Sequence, residues 1–382
     1  MLWARKVRDD SGAARRHGNA FAVIRLVLAS LVILAHSPEI LDGDRHRELM
    51  TRAFGAISFG EFAVDGFFAL SGFLLTESWL RQDSAFRYFV RRVLRIFPGF
   101  IVASALSVVV VGALAAARPL DYLQSLNVPQ FLLRTLALGE PVTPPTDLGL
   151  YQRSVNGALW TIRYEFICYF AIPLLGLLGV LRRRSAMLVL TLLSIVLFAS
   201  SHWWVAELGL SEGGGAGRHL ARLSRLWTFF CAGSLASSAG IRAHLSGRGA
   251  IVAAVLAVFS LVVFGVRGEP LLALPLTYLL IYAGYQGLSF ASDWIQTNDI
   301  SYGVYLYAWP LQKLFSLWFP GIGPWQLSLV TALLVVPLAA LSWKLVEQPA
   351  VRLSERIVRS PPRRPRPVEP LHLELDAERQ AP

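Results

Sequence analysis

Residues 21–36 read FAVIRLVLASLVILAH, an apolar run interrupted by one arginine near its start and closed by a histidine. A basic stretch precedes it, as in a secretory signal, but no A-x-A cleavage pattern follows and Arg25 breaks the apolar core. Further apolar runs recur along the chain, each near the roughly 20 residues that a bilayer-crossing helix needs. The run is therefore expected to be a retained first span, with more membrane helices after it.

Composition agrees. Of 382 residues, 54% are hydrophobic and only 16% are charged, whereas a soluble domain carries about 25% charged residues. Spans are expected near 20–38, 56–76, 96–116, 158–181, 185–203, 220–240, 250–266, 270–288, 300–319 and 326–346. The fold class is thus an all-α polytopic membrane protein of about ten transmembrane helices. The run 220–240 is the weakest, because it contains Arg222 and Arg225, and 129–138 (PQFLLRTLAL) is too short to cross and suits the interface.

The net charge of +11 would suggest nucleic acid in a soluble chain. Here the cations sit in short clusters between apolar runs, so topology and contact with anionic lipid explain them, and no nucleic-acid partner is expected. Cys168 and Cys231 lie inside apolar runs without metal-ligand spacing, which argues against a disulfide scaffold and against a metal site.

Arginine asymmetry orients the chain. If residue 1 is cytoplasmic, the inside connections hold Arg5, Lys6, Arg8, Arg15 and Arg16, then Arg81, Arg87, Arg91, Arg92 and Arg95. Arg182 to Arg184, Arg242, Arg248 and seven arginines from Arg352 to Arg379 follow on the same side. The outside connections hold fewer, chiefly Arg45, Arg47, Arg52, Arg118, Arg134, Arg153, Arg218 and Arg267. This pattern makes both termini cytoplasmic. Three segments are expected: a basic N-terminal segment 1–19, a transmembrane domain 20–352, and a disordered Pro/Arg-rich tail 353–382.

Ionisable groups inside the spans point to chemistry, because each costs free energy in hydrocarbon unless it meets a partner or a wet cavity. Arg25 and His36 lie 11 residues apart, close to three helical turns, so they share one face of the first helix about 16 Å apart. They suggest a polar route through the bundle; a snorkelling arginine and a satisfied histidine are the alternative. In EFAVDGFFALSGFLL, Asp65 needs a cationic or hydrogen-bonding partner, Ser71 sits near mid-span, and Gly66 and Gly72 allow close backbone approach.

FRYFVRRVLRIFPGF places Arg92 and Arg95 in an R-x-x-R pair at the cytoplasmic mouth of the third span. Guanidiniums one turn apart can grip phosphates bidentately, although positive-inside flanking also accounts for them. NGALWTIRYEFICYF brings Trp160 and Glu165 to the start of a span, where an ionised carboxylate needs an arginine or a substrate hydroxyl. ISYGVYLYAWPLQ sets Tyr302, Tyr305 and Trp309 in one aromatic stripe, which can pack or can stack on sugar rings.

Together R-x10-H, DGFFALSGFLL, FRYFVRRVLRIFP, LWTIRYE, SYGVYLYAWP and the terminal LVEQP resemble the acyltransferase-3 family, bacterial membrane O-acyltransferases acting on exported polysaccharides and glycans. The resemblance runs from about residue 20 to 352, in the family's order. It implies a ten-helix core in the bacterial cytoplasmic (inner) membrane. The implied donor is acetyl-CoA or another acyl-CoA, and the acceptor is a hydroxyl of an extracytoplasmic or lipid-linked glycan such as an exopolysaccharide. Glycan-assembly proteins are the further partners it implies.

By the same resemblance His36 and Glu165 are the catalytic candidates, with Arg25, Arg92 and Arg95 on the coenzyme. Asp65, Ser71, Trp160, Tyr302 and Tyr305 are the substrate-binding candidates. Where many relatives have a histidine this chain has Ala308, so no catalytic part falls there. The chain resembles the standalone form, without a C-terminal esterase-like domain. The rival class is a transporter or flippase of lipid-linked saccharides; the internal repeats and paired broken helices common in transporters are not evident.

Overall fold

The computed structural model describes residues 20–55, 57–81, 84–144, 146, 154–210, 215–286 and 293–358. Among the described residues all regular structure is helical. The main helices are α1 Phe21–Asp42, α2 Phe59–Leu80, α3 Ala85–Leu114, α4 Trp160–Leu177, α5 Arg184–Ala199, α6 Gly215–Ser238, α7 Gly247–Phe264, α8 Glu269–Gln286, α9 Ser301–Trp318 and α10 Pro324–Ser342. Local chemistry sets several starts. Ser58 and Glu61 form a reciprocal capping box at α2, and Ser84 and Ser246 cap α3 and α7 through their hydroxyls. Gly43 ends α1 at φ 75°, a left-handed conformation that a side chain would disfavour.

Six helical stretches are long and apolar enough to cross a bilayer: Phe21–Asp42, Phe59–Leu80, Ala85–Leu114, Gly157–Leu177, Gly247–Gln286 and Pro324–Val358. Arg184–Ala199 with Ser201–Glu207, bent by 68°, makes a seventh. The chain is a membrane protein. The 40-residue stretch Gly247–Gln286 is itself a hairpin, since the Tyr278 hydroxyl in α8 accepts from the backbone N–H of Ser246 at the start of α7. The expected spans at 220–240 and 300–319 are helices, α6 and α9, that fall short of the same apolarity because each carries buried polar groups.

Contacts fix the directions. Gly66 of α2 meets Leu28 and Gly60 meets Ala35, so α1 and α2 are antiparallel. Asp65 with Arg225 and Gly72 with Phe230 make α2 and α6 parallel, and Ser71 with Glu165 and Trp79 with Gly176 do the same for α4. Arg25 with Asp299 and Ile33 with Gln312 align α9 with α1. Applied to every packed pair, odd-numbered helices run one way and even-numbered helices the other.

Helix α2 is the centre, packed by α1, α4, α6 and α8. A Cβ on Gly72 would fall 2.0 Å from the Phe230 carbonyl oxygen, and one on Gly233 would fall 1.9 Å from that of Ala69. Small residues are needed there because helix association in lipid relies on close packing rather than on hydrophobic burial.

Residues 353–358, expected to begin a disordered tail, are instead helical: the chain stays helical to Val358, with Ser354 and Val358 buried against α3. Val351, Ser354 and Val358 recur at helical spacing on one face, and the prolines that end helices come only at 361 and 362. The rest of that tail and the segment 1–19 lie outside the described residues. The run at 129–138 forms a short helix, Val128–Leu136, with Leu132, Leu133 and Leu136 exposed.

Candidate active site

Five helices surround a cavity of about 140 Å³ that reaches Arg25 on α1, Ser71 on α2, Arg92 and Arg95 on α3, Glu165 on α4, and Tyr302 and Tyr305 on α9. Seven of the ten sequence candidates thus meet in one place, although they are spread over most of the chain. Gly99 lets α9 close onto α3, since a Cβ there would come within 2.9 Å of the Tyr302 ring.

One carboxylate organises the arginine end. Asp299 Oδ2 lies 2.9 Å from Arg25 Nη2 and 2.7 Å from Arg95 Nη2, while Oδ1 accepts from the Ser301 hydroxyl at 2.5 Å. Two guanidiniums that would repel each other are thereby held side by side. Burial pushes the Asp299 carboxyl up, but Arg25 and Arg95 outweigh it and hold it below the ordinary aspartate value. Arg92 donates to the Ser78 hydroxyl at 3.3 Å and lies near the Tyr88 and Tyr169 rings. The Nε atoms of Arg25 and Arg92 are buried with no hydrogen-bond partner among the described residues, two charged donors that an anionic ligand could satisfy.

Further along, Glu165 Oε1 accepts from the Tyr169 hydroxyl at 2.8 Å and from Ser71 at 3.4 Å. The Tyr302 hydroxyl donates to the Ile96 carbonyl and that of Tyr305 to the Ala158 carbonyl, with Thr161 donating to Tyr305. These two phenols are therefore committed to holding helices together. What they offer the cavity is aromatic surface.

Three candidates lie elsewhere. His36 sits at the other end of α1, its Nδ1 3.1 Å from Glu39 Oε2 and its ring edge-on to Trp309 at 4.5 Å. A carboxylate on Nδ1 fixes the tautomer and leaves Nε2 as the basic nitrogen. Trp309 follows Tyr305 by one helical turn, so it stands between the cavity and His36. Asp65 is fully buried and bound through both oxygens by Arg225, at 3.0 and 3.1 Å, and is not open to a substrate. Trp160 turns to the opposite face of α4, under the Arg222 guanidinium.

Sequence reasoning missed Asp299, Glu39, Lys313 and the pairing role of Arg225. Glu39 was within reach, being one turn from His36 in H-x-x-E. Lys313 is 1% exposed and within the field of Glu39. Asp299 stands in a connection, where a single carboxylate carries no signal until the fold brings α1 and α3 to it.

Residues 19–344 match the family model described as an acyltransferase domain. Nodulation protein 10 of Rhizobium leguminosarum bv. viciae is 28% identical over 379 residues, covering 90% of this chain and 95% of the relative. The O-acetyl transferase of Shigella phage Sf6 is 26% identical over 353 residues, covering 86% of this chain and 95% of the relative. No solved structure matches. With the family match spanning most of the chain and the motifs gathered about one cavity, this protein is an acyltransferase and belongs to the acyltransferase-3 family.

Proposed function

We propose that this membrane O-acyltransferase moves an acyl group, most simply acetyl, from cytoplasmic acyl-CoA to a hydroxyl of an exported or lipid-linked glycan. The observation that carries the reading is the arginine end of the cavity, where Arg25 and Arg95 flank Asp299, Arg92 stands beside Ser78, and the Nε donors of Arg25 and Arg92 have no partner among the described residues. Such an end suits the phosphates of coenzyme A, whose pantetheine arm would then point along the cavity past Glu165 toward Trp309 and His36. The name of the phage relative, O-acetyl transferase, supports acetyl as the group and oxygen as the acceptor. The alternating helices and the arginine asymmetry support ten passes with both termini cytoplasmic, in a bacterial inner membrane.

In this mechanism the acceptor hydroxyl gives its proton to Nε2 of His36 while its oxygen attacks the thioester carbonyl. The carbon–sulfur bond breaks, the thiolate takes the proton back from the imidazolium, and acyl ester and free coenzyme A leave a neutral His36. Glu39 stabilises the transient imidazolium charge. Tyr302 and Tyr305 give aromatic surface for a sugar ring, and Glu165 gives an acceptor for its hydroxyls.

Incubating the purified protein with radiolabelled acetyl-CoA and extracted surface glycan tests the reading. Label should appear on the glycan with the parent and not with His36→Ala. Unlabelled glycan with folded parent protein and a full range of acceptors would refute it.

A further inference from the structure

Behind Glu165, on the opposite face of α4, a second cavity of about 280 Å³ is walled by Arg134, Arg163, Arg218 and Arg222, with Glu140 and Trp160 beside them. Among the described residues four guanidiniums and one carboxylate line it. The end of the bundle matters. Arg222 lies one turn before Arg225, which binds Asp65, whereas Arg92 of the first cavity binds Ser78. The 13 residues from Asp65 to Ser78 rise about 20 Å along α2, so the two arginine clusters belong to opposite ends.

At this end arginines are scarce, as the positive-inside asymmetry requires, yet Arg134 and Arg218 converge here with Arg163 and Arg222. Two further features show that the site is built. Leu138 holds φ 51°, the one non-glycine residue in the left-handed region among the described residues, and strain of this kind gathers at ligand clamps. The next residue, Gly139, is pressed onto the arginines, since a Cβ there would come within 2.6 Å of Arg163 Nη2. Arg222 lies 4.2 Å over the Trp160 ring, which holds its planar fork in place.

We infer that this cavity is a second ligand site, for a phosphate or diphosphate group carried by an amphiphile. Phosphate chemistry fits because one such group accepts forked hydrogen bonds from several guanidiniums converging on one cavity. The amphiphile follows from the helix that supplies Arg134, whose Leu132, Leu133 and Leu136 are exposed beside the charged site. The source is either an anionic phospholipid headgroup or the phosphate link of a lipid-carried saccharide. The headgroup arm requires neither the donor nor the acceptor proposed above, whereas the saccharide arm rests on that acceptor.

Inorganic pyrophosphate is the probe, titrated calorimetrically into the full-length protein in neutral detergent. The parent should bind it with an affinity that falls with salt, and Arg163→Gln with Arg222→Gln should weaken binding at least about tenfold. Arg92→Gln with Arg95→Gln should leave this binding in place, which separates it from coenzyme binding. Glu140→Gln should tighten it, a change of opposite sign that a loss of folding cannot mimic. In nanodiscs, weaker pyrophosphate binding with phosphatidylglycerol than with phosphatidylcholine alone assigns the site to a headgroup, and equal binding assigns it to the saccharide-linked phosphate. No binding by the parent, binding indifferent to Arg163 and Arg222, or weaker binding by Glu140→Gln would overturn the inference.

Discussion

Replacing Arg225 by Gln tests whether the charge cluster around Asp65 ties helices together or handles substrate. The Arg225 side chain is 15% exposed, with Asp65 at 0% and Glu269 at 10%, so water screens the cluster little. One guanidinium serves both buried carboxylates, reaching Asp65 at 3.0 Å and Glu269 at 2.7 Å, while a third, Glu61, lies farther off at 3.6 Å and is more open to screening by water. Removing one partner of a buried ion pair costs about 3–5 kcal/mol, because the other charge is stranded. Arg225→Gln strands the two buried carboxylates and should cost about 5 kcal/mol. Asp65→Asn leaves Glu269 on the guanidinium and an amide oxygen that still accepts from it, so its cost should stay near that of one charged hydrogen bond, about 1.5–3 kcal/mol. The double variant should be more stable than Arg225→Gln alone, by about 2 kcal/mol, since it strands one fewer charge. Unfolding free energies from sodium dodecyl sulfate titration in mixed micelles measure the cycle, with acyl transfer per folded molecule followed in parallel. Transfer by folded Asp65→Asn should remain within about threefold of the parent, under 1 kcal/mol of activation free energy. A double variant as unstable as the sum of the singles would refute the electrostatic reasoning. A folded but inactive Asp65→Asn would return Asp65 to a substrate role.

His36→Ala should lower acyl transfer about 10²–10⁴-fold, the usual worth of a general base, with membrane insertion close to normal, and Glu39→Gln should lower it less; assays per folded molecule check both. Arg92→Gln with Arg95→Gln should raise the apparent KM for acetyl-CoA at least about tenfold, and Lys at both positions should rescue only in part because the fork is lost. Because the Asp299 carboxyl is held below its ordinary value, the stability it lends is present above the unfolded aspartate value near about 4 and is lost as pH falls through the lower folded value. Asp299→Asn should remove that acid limb from a pH series of thermal midpoints. Reporter fusions after residue 184 and at the C-terminus should score cytoplasmic, and those near 125 and 268 outside; a cytoplasmic score at 125 would exclude ten passes.

Much was legible along the chain because membrane helices are written locally. Each must satisfy its own backbone and present some twenty apolar side chains, so length and hydropathy locate it without knowledge of its neighbours. The helical character, the positions of α1 to α10, and the close approach at Gly66 and Gly72 were all open to that kind of reading. So were Arg25, Arg92, Arg95 and Glu165 of the cavity, because an arginine or carboxylate in hydrocarbon announces a partner even before the partner is known.

The partners themselves were decided by tertiary structure. Asp65 and Arg225 are 160 residues apart, and Arg95 and Asp299 are 204 apart, so no periodicity links them. Only the packing of α6 on α2 turned Asp65 from a substrate candidate into one half of a tie. Only the approach of α1 and α3 to the start of α9 gave Asp299 two arginines to hold. Trp160 and Glu165 lie five residues apart on α4 yet open into different cavities, a distinction that depends on which neighbour covers each face. Local sequence dictates where a helix forms and which faces are polar, whereas the pairing of those faces is a property of the whole bundle, set by shape and charge between segments distant in the chain.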